Sequence, residues 1–571
     1  MNGRAYDRLQ SHESGTFTFL GPGELGGKAA GLVSIQESLA ASFPDNRFGS
    51  YIVDIPVMTV LRTGLFCDFL ESNDLLTILD GEHSDGYIAD KFQHAEIPPR
   101  FSGDLMSLVA NTDTPLAVRS SSLLEDSLQS PFAGIYMTKM IPNNQFDPAR
   151  RFRKLLEALK LVYGSVFFKG ARAFAGSSCK ANDREEMAVI IQQVVGSRRG
   201  NRYYPLLSGV ARSVNFYPSG NASSEEGIVH LALGLGKTIV DGGKSWYYSP
   251  RHPSSPPPFR SSRDALKTTQ SDFWAIRLDK PERYDPLAEV EFLDRHSFPR
   301  AEADGVLHGI CSTYNPESDR FEQGASGTGP KLLDFYSLRT IDNEFNELIC
   351  KILEVAEEKT GTPVEIEFAL DDLPAPGREP RFGLLQVRSM AIPRITGNLN
   401  EIRAGASKTI VRSSAAIGNG MIDDLRDIIY VVPDRFKPGD TAIIASELEG
   451  INRTITELGE HYILLGFGRW GSSDPWLGIP VQWQQISGAQ VIVESDFPGL
   501  YPDFSQGTHF FHNVCNLGIL YMAARSEEPV DWEEIGNMKI INETAHLRHV
   551  RSPIPLRAWV DCGKGIGGVV Q

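Results

Sequence analysis

Cysteine is scarce in this 571-residue sequence, and long apolar runs are missing altogether. The six cysteines, Cys67, Cys179, Cys311, Cys350, Cys515 and Cys562, are scattered, with no CxxC pair and no metal-like spacing to a histidine. That scatter argues against a disulfide scaffold and against structural zinc. No stretch approaches the ~18 uninterrupted apolar residues that a membrane span needs. The opening MNGRAYDRLQSHESGTFTF lacks the basic segment and short apolar run of a secretion signal. A cytoplasmic protein is the expectation. Positive charge is also short: 56 Lys and Arg face 72 Asp and Glu, leaving a formal net charge of -16. Such a field repels polyanions, so nucleic acid is not an expected partner, and without an apolar span neither is a membrane. Internal repeats and single-residue tracts are absent as well.

What is present is ordinary globular material, 41% hydrophobic and 22% charged. Single cores stop growing near ~250 to 300 residues, so two to four domains are expected. The clearest compositional break in the first half is RHPSSPPPFRSSRD, residues 251–264, which reads as an exposed Pro/Ser-rich loop.

Several segments carry chemistry. In GPGELGGKAAGLVSIQESL a glycine turn and Lys28 feed a helix whose Leu32, Ile35 and Leu39 share a face. A helix N-terminus offers unpaired N–H groups and a positive dipole end to phosphate, and the lysine adds a point charge. The competing reading is a structural turn. PLAVRSSSLLEDSLQSPFAGIYMT places Arg119 at the end of a short strand, followed by serines, the acidic pair Glu125 and Asp126, and a small-residue turn from Ser130 to Gly134. An arginine fork grips phosphate oxygens in pairs and a Ser/Gly loop can close over a triphosphate, whereas a strand-edge arginine paired with Glu125 or Asp126 is the plain alternative. Phe152, Leu155, Leu156, Leu159, Val162 and Val166 recur at helical spacing and read as core. Three strand-like segments follow: EEMAVIIQQVVGS, LLSGVARSVNFYP and IVHLALGLGKTIVDGG. VEIEFALDD and FGLLQVRSM read as two strands able to pair and to set Glu367 beside Gln386. A carboxylate and an amide oxygen suit Mg²⁺, which takes one or two protein ligands and completes its shell with phosphate and water. Glu365 and Glu367 on a solvated strand face is the other reading.

Taken in order, these segments resemble the ATP-grasp nucleotide-binding unit of the pyruvate phosphate dikinase, phosphoenolpyruvate synthase and rifampin phosphotransferase family. The matches are Gly26 to Lys28, Ala117 to Ser121, Phe132 to Gly134, Ala188 to Gln192, Ser208 to Val210, Gly234 to Gly236, Ile366 to Glu367 and Leu385 to Arg388, spanning residues from about 15 to 392. The resemblance implies ATP and Mg²⁺ as cofactors. By it, Lys28 and Arg119 contact the phosphates, the loop from Ser130 to Gly134 covers them, and Gln192, Gln193 and Val195 line the adenine pocket. Glu367 and Gln386 hold the metal, and Arg388 faces the transferred group. Two positions depart from the family pattern. Lys237 stands after GLG where the family commonly has glutamate, which leaves ribose recognition open, and Glu365 stands where aspartate is frequent. The expected fold is α/β (α+β): a bilobed ATP-grasp-like unit made of subdomains 1–180 (phosphate) and 181–392 (adenine and metal), then a smaller α/β C-terminal domain over 393–571.

The family's phosphohistidine segment, of GGxTSH type, is not visible, and residues 394–571 are too few for a (β/α)₈ barrel of ~250 residues. The chain is therefore not expected to be a complete phosphoenolpyruvate synthase. In the tail, DIIYVVP, TAIIAS, YILLGFG and AQVIVE read as strands and ELEGINRTITELGE as a helix. Gly466, Gly468 and Gly471 spell GxGxxG, but Ser-Ser-Asp-Pro follows where a dinucleotide site requires a helix. Arg469, Trp470, Ser473, Asp474 and Trp476 crowd polar and stacking groups into that loop, either for substrate or as a packed turn. In SQGTHFFHNVCNLGILYMAA, His509 and His512 lie near an expected helix start, where a neutral imidazole suits phosphoryl transfer or base catalysis. A core histidine is the alternative. The functional expectation is a dikinase-like phosphotransferase that passes phosphate from Mg-ATP to a small molecule, directly or through a histidine, His509 or His512. An ATP-grasp ligase and a nucleotide-sensing module are the competing classes. A homo-oligomer and a separate phosphocarrier protein stay open as partners.

Overall fold

The computed structural model describes residues 4–5, 15–81, 83–122, 134–172, 185–215, 221–255, 257, 259, 261–281, 283–390, 408–418, 420–472, 474, 476–497, 519–525, 530–561 and 565–571. It is a mixed α/β architecture with several sheets. The chain divides into two compact units. The first comprises residues 1–213, 226–238 and 244–389, and the second 214–225, 239–243 and 390–571.

Two sheets build most of the first unit. One has six strands in the order Arg4–Ala5, Phe17–Leu20, Met58–Leu61, Met187–Gln193, Leu116–Ser122 and Thr138–Ile141. The other has seven, in the order Trp246–Tyr248, Ile228–Leu233, Leu207–Arg212, Val364–Leu370, Arg381–Ser389, Tyr51–Asp54 and Arg47–Phe48. The division expected between residues 180 and 181 does not appear as a break. Met187–Gln193 sits inside the first sheet, between Met58–Leu61 and Leu116–Ser122, while Tyr51–Asp54 extends the second. Long-range strand pairing has overridden chain order.

The apolar stripes are placed as their periodicity requires. In helix Gly27–Ser42, Leu32, Ile35 and Leu39 are buried, and in helix Pro148–Ser165, Leu155, Leu159 and Val162 are, while Phe152, Leu156 and, just past its end, Val166 are half-buried. The segment 251–264 is less exposed than its Pro/Ser content implies, because Pro257 is buried and Phe259 packs on the main core. Among the described residues, no helix is long and apolar enough to cross a membrane.

The second unit is built on one large sheet. Gly420–Val431, Tyr462–Phe467, Ala489–Ser495 and Leu520–Ala524 run parallel, with Leu547–Asp561 antiparallel to the first of them. Both faces are covered: Ile428, Ile463 and Val491 belong to one apolar cluster, and Ile429, Leu464 and Ile492 to another. That explains why these strands read as unbroken apolar runs rather than alternating ones. TAIIAS, expected as a strand, is the first part of helix Thr441–Glu457. Ile444, Leu448, Ile451 and Ile455 are all buried along it, so the helical stripe starts inside the segment taken for a strand.

A buried charge network ties this sheet together. Asp427 accepts from His549 Nε2 at 2.6 Å and from Arg551 Nε and Nη2 at 3.0 and 2.8 Å. Burial pushes the Asp427 carboxyl up, but these donors outweigh it and hold the group below the usual carboxylate range. A depressed folded-state pKa adds stability above the unfolded value, about 3.9, and that stability is lost as pH falls through the folded value. Asp427→Asn is expected to destabilise the second unit by about 2 to 4 kcal/mol at neutral pH, Arg551 remaining partly wet. The difference from wild type should shrink below pH ~4, which urea unfolding at several pH values would show.

Candidate active site

A glycine brings the first phosphate-binding candidate into place. Gly26 has φ 72°, and a Cβ there would fall 1.6 Å from Ser121 O. The chain therefore enters helix Gly27–Ser42 pressed against strand Leu116–Ser122. Ser121 Oγ accepts from Ala29 N at 3.1 Å and donates to Leu25 O at 2.9 Å. Lys28 is buried beside them, its Nζ donating to Ser120 Oγ at 3.2 Å. Gly26 provides no side-chain cap and the first turn holds no acidic residue, so the helix itself does not offset its positive dipole end. Further along, Gly31 lets the helix lie on strand Arg381–Ser389, where a Cβ would come within 2.6 Å of Val387 O.

The second group forms where Leu116–Ser122, Val364–Leu370 and Arg381–Ser389 meet. Glu367 and Gln386 are register partners, as are Glu365 and Arg388, with a bulge just after Glu367. Arg119 reaches into this pair. Its Nη2 donates to Gln386 Oε1 at 2.8 Å and to Glu367 Oε2 at 3.2 Å, and its Nη1 donates to Leu385 O at 3.1 Å and Gln192 Oε1 at 3.4 Å. Arg388 Nη2 holds the other Glu367 oxygen at 3.0 Å. Behind them, Glu365 lies 3.3 Å from Arg388 Nε and accepts from Arg212 Nε at 2.7 Å. Three guanidinium groups thus face two carboxylates, with Lys28 on the neighbouring helix. The local charge is positive inside an acidic protein, as a polyphosphate site requires.

The family model described as pyruvate phosphate dikinase, AMP/ATP-binding domain, matches residues 23–394. The chain belongs to this family. No curated protein matches it.

Within the AMP/ATP-binding domain, Lys28, Arg119, Gln192, Glu367, Gln386 and Arg388 all lie on the elements just described. Gln193 does not join them. Successive strand residues point to opposite faces, and Gln193 Nε2 donates instead to Thr112 Oγ1 at 3.3 Å. Val195 packs over Gly383, whose absent Cβ would fall 2.5 Å from Val195 Cγ2. Lys237 opens the short helix Lys237–Val240 and is half-buried. Gly134 is exposed with φ 76°, while Ser130, Phe132, Glu125 and Asp126 lie outside the described residues. Arg212 was not singled out from the sequence. An arginine closing the buried strand Leu207–Arg212 demands a carboxylate partner, and that demand was the available signal. Glu365 and Glu367 do not form a solvated strand face, since arginines hold both.

Outside the AMP/ATP-binding domain, Trp470 is a core residue. Its ring lies under Gly466, its N donates to Glu494 Oε1 at 2.8 Å, and it is 1% exposed, so it offers no face to a substrate. Arg469 Nη1 donates to Gly242 O at 3.3 Å, and Asp474 Oδ1 accepts from Trp476 N at 2.9 Å. Trp476 itself is exposed. Ser473, His509 and His512 lie outside the described residues.

Proposed function

We propose that this protein is an ATP-dependent phosphotransferase of the dikinase type, built on an ATP-grasp-like unit that activates phosphate from Mg-ATP for a small-molecule acceptor. The observation that carries the reading is the Arg119 fork, set between Glu367, Gln386 and Gln192 within a matched AMP/ATP-binding domain. Phosphoryl transfer asks a protein chiefly for positioning and charge neutralisation, and this cluster supplies both. Arg119 and Lys28 grip the phosphate oxygens; Arg388 faces the group in transit.

Among the described residues, no three His, Cys, Asp or Glu side chains gather as a metal cage. The donors present nevertheless fit Mg²⁺, which is bound through one or two protein oxygens plus substrate phosphates. Glu367 and Gln386 would hold it, and it would neutralise charge on the phosphate oxygens. Both side chains now accept from Arg119, so a phosphate that draws the guanidinium to itself releases their oxygens. Glu367→Gln is accordingly expected to raise the Mg²⁺ concentration needed for half-maximal ATP turnover by roughly tenfold or more. A magnesium titration of turnover checks this.

The acceptor and the product are identified by phosphorus NMR of the protein with ATP, Mg²⁺ and a metabolite extract. AMP, phosphate and a new phosphoester indicate a carrier histidine, and a His509→Ala variant tests which one. ADP with a new phosphoester indicates direct transfer. Phosphate release that requires both a carboxylate and an amine indicates a ligase, and absence of turnover would overturn the phosphotransferase reading.

A further inference from the structure

Helix Pro148–Ser165 is capped by Asp147, whose Oδ1 accepts from Ala149 N at 2.9 Å, and then runs into a cluster of cations. Its first two turns carry Arg150, Arg151, Arg153 and Lys154 and no acidic residue in the first turn. Arg151 has a structural role, donating through Nη1 to Thr112 O at 2.8 Å. The others line a cavity of about 820 Å³ together with Lys280, where Arg150, Arg153, Lys154 and Lys280 stand beside Glu157 and Asp279, with Asp147 4.0 Å from Arg150 and Glu291 3.8 Å from Lys154.

Both carboxylates in the lining are already engaged. Glu157 accepts from Lys154 Nζ and from the Tyr284 hydroxyl, each at 2.8 Å, and Asp279 accepts from Asn201 Nδ2 at 2.8 Å. Arg153 and Lys280 are exposed. An aromatic wall stands beside them. The Tyr284 ring is 60% exposed, with Lys154 Nζ 4.0 Å from its centroid.

The far wall of the cavity is fastened from inside the protein. Lys139 Nζ and Glu291 Oε2 pair at 2.8 Å, with side chains 1% and 0% exposed, and the same ammonium donates to Pro286 O at 2.8 Å. Glu291 Oε1 in turn accepts from Asp285 N at 3.3 Å. The segment carrying Lys280, Tyr284 and Phe292 is thus held in place ahead of any ligand, which lowers the ordering cost of binding.

We propose that this cavity is a second ligand site, distinct from the Arg119 cluster, for a small phosphate ester bearing a planar ring, of the nucleoside monophosphate kind. Arg150, Arg153 and Lys280 take the phosphate, and the ring stacks on Tyr284. Stacking of this kind is tolerant of base identity, because every base presents a π-face.

The test is calorimetric titration of the whole protein with GMP while a saturating non-hydrolysable ATP analogue fills the Arg119 site. Guanosine and inorganic phosphate serve as separate probes. One equivalent of GMP should bind, at least tenfold tighter than either probe alone, and more weakly as salt rises. Arg153→Glu and Tyr284→Ala should each weaken GMP at least fivefold while leaving binding of the ATP analogue unchanged. Lys280→Glu, on an exposed position away from the helix, gives the same reading if Arg153→Glu fails to fold. No saturable GMP binding below millimolar concentration overturns the proposal, as does inorganic phosphate binding as tightly as GMP, or GMP binding indifferent to these substitutions. The readout is binding rather than turnover, so its failure would leave the phosphotransferase reading untouched.

Discussion

Arg119→Ala is expected to lower the kcat for ATP turnover by roughly 10³-fold, the range seen when a preorganised cationic or oxyanion donor is removed from a transferring group. The guanidinium makes four contacts, to Gln192, Glu367, Leu385 and Gln386, from a strand that also anchors the helix carrying Lys28. The fold should survive, because Glu367 keeps Arg388 and the strand register of Glu367 with Gln386 is set by the backbone. Stability should fall by only about 1 to 3 kcal/mol from the acceptors left without a donor. Arg119→Lys should recover little activity, since an ammonium is a point charge and cannot span two acceptors as a planar fork does. Steady-state kinetics with a thermal-melt control separates these outcomes.

Gly26→Ala should do the reverse, losing stability and activity together. The left-handed conformation at φ 72° costs an L-residue about 1 kcal/mol or more. The larger effect is steric: a Cβ 1.6 Å from Ser121 O forces the helix start away from strand Leu116–Ser122. That movement breaks the Ala29 N to Ser121 Oγ bond and withdraws Lys28 from Ser120. A total loss of roughly 3 kcal/mol or more is expected in denaturant unfolding. Gly31→Ala is the informative comparison. There the obstacle is one carbonyl oxygen, Val387 O at 2.6 Å, and the backbone is helical, so the loss should be smaller.

These residues were legible in the sequence to different degrees, for physical reasons. Strands Val364–Leu370 and Arg381–Ser389 are close in sequence and strongly patterned, so the juxtaposition of Glu367 and Gln386 followed from local signals. Lys28 and Arg119 carried turn and strand signatures of their own. The ion pair of Arg212 with Glu365 did not show itself, because its members are 153 residues apart and nothing local fixes the register of their strands. Interleaving of Met187–Gln193 into the first sheet escaped for the same reason. Gln192 and Gln193 are adjacent in sequence, but the two-residue period of a strand sends Gln192 towards Arg119 and Gln193 towards Thr112. TAIIAS misled because a short β-branched run fits a strand and a buried helix turn equally well. Trp470 stood out in the loop for its stacking ring, and the structure uses that ring to fill the core of the second unit.

The central claim is that the Arg119 cluster is where ATP phosphates bind. It is tested most directly by titrating the protein into Mg-ATP and following the α-, β- and γ-phosphorus resonances, with wild type and a folded Arg119→Ala variant run side by side. The account predicts a saturable shift or broadening of the β and γ signals with wild type that is lost or weakened at least tenfold in the variant. Equal effects with both proteins, or none with either, would contradict it.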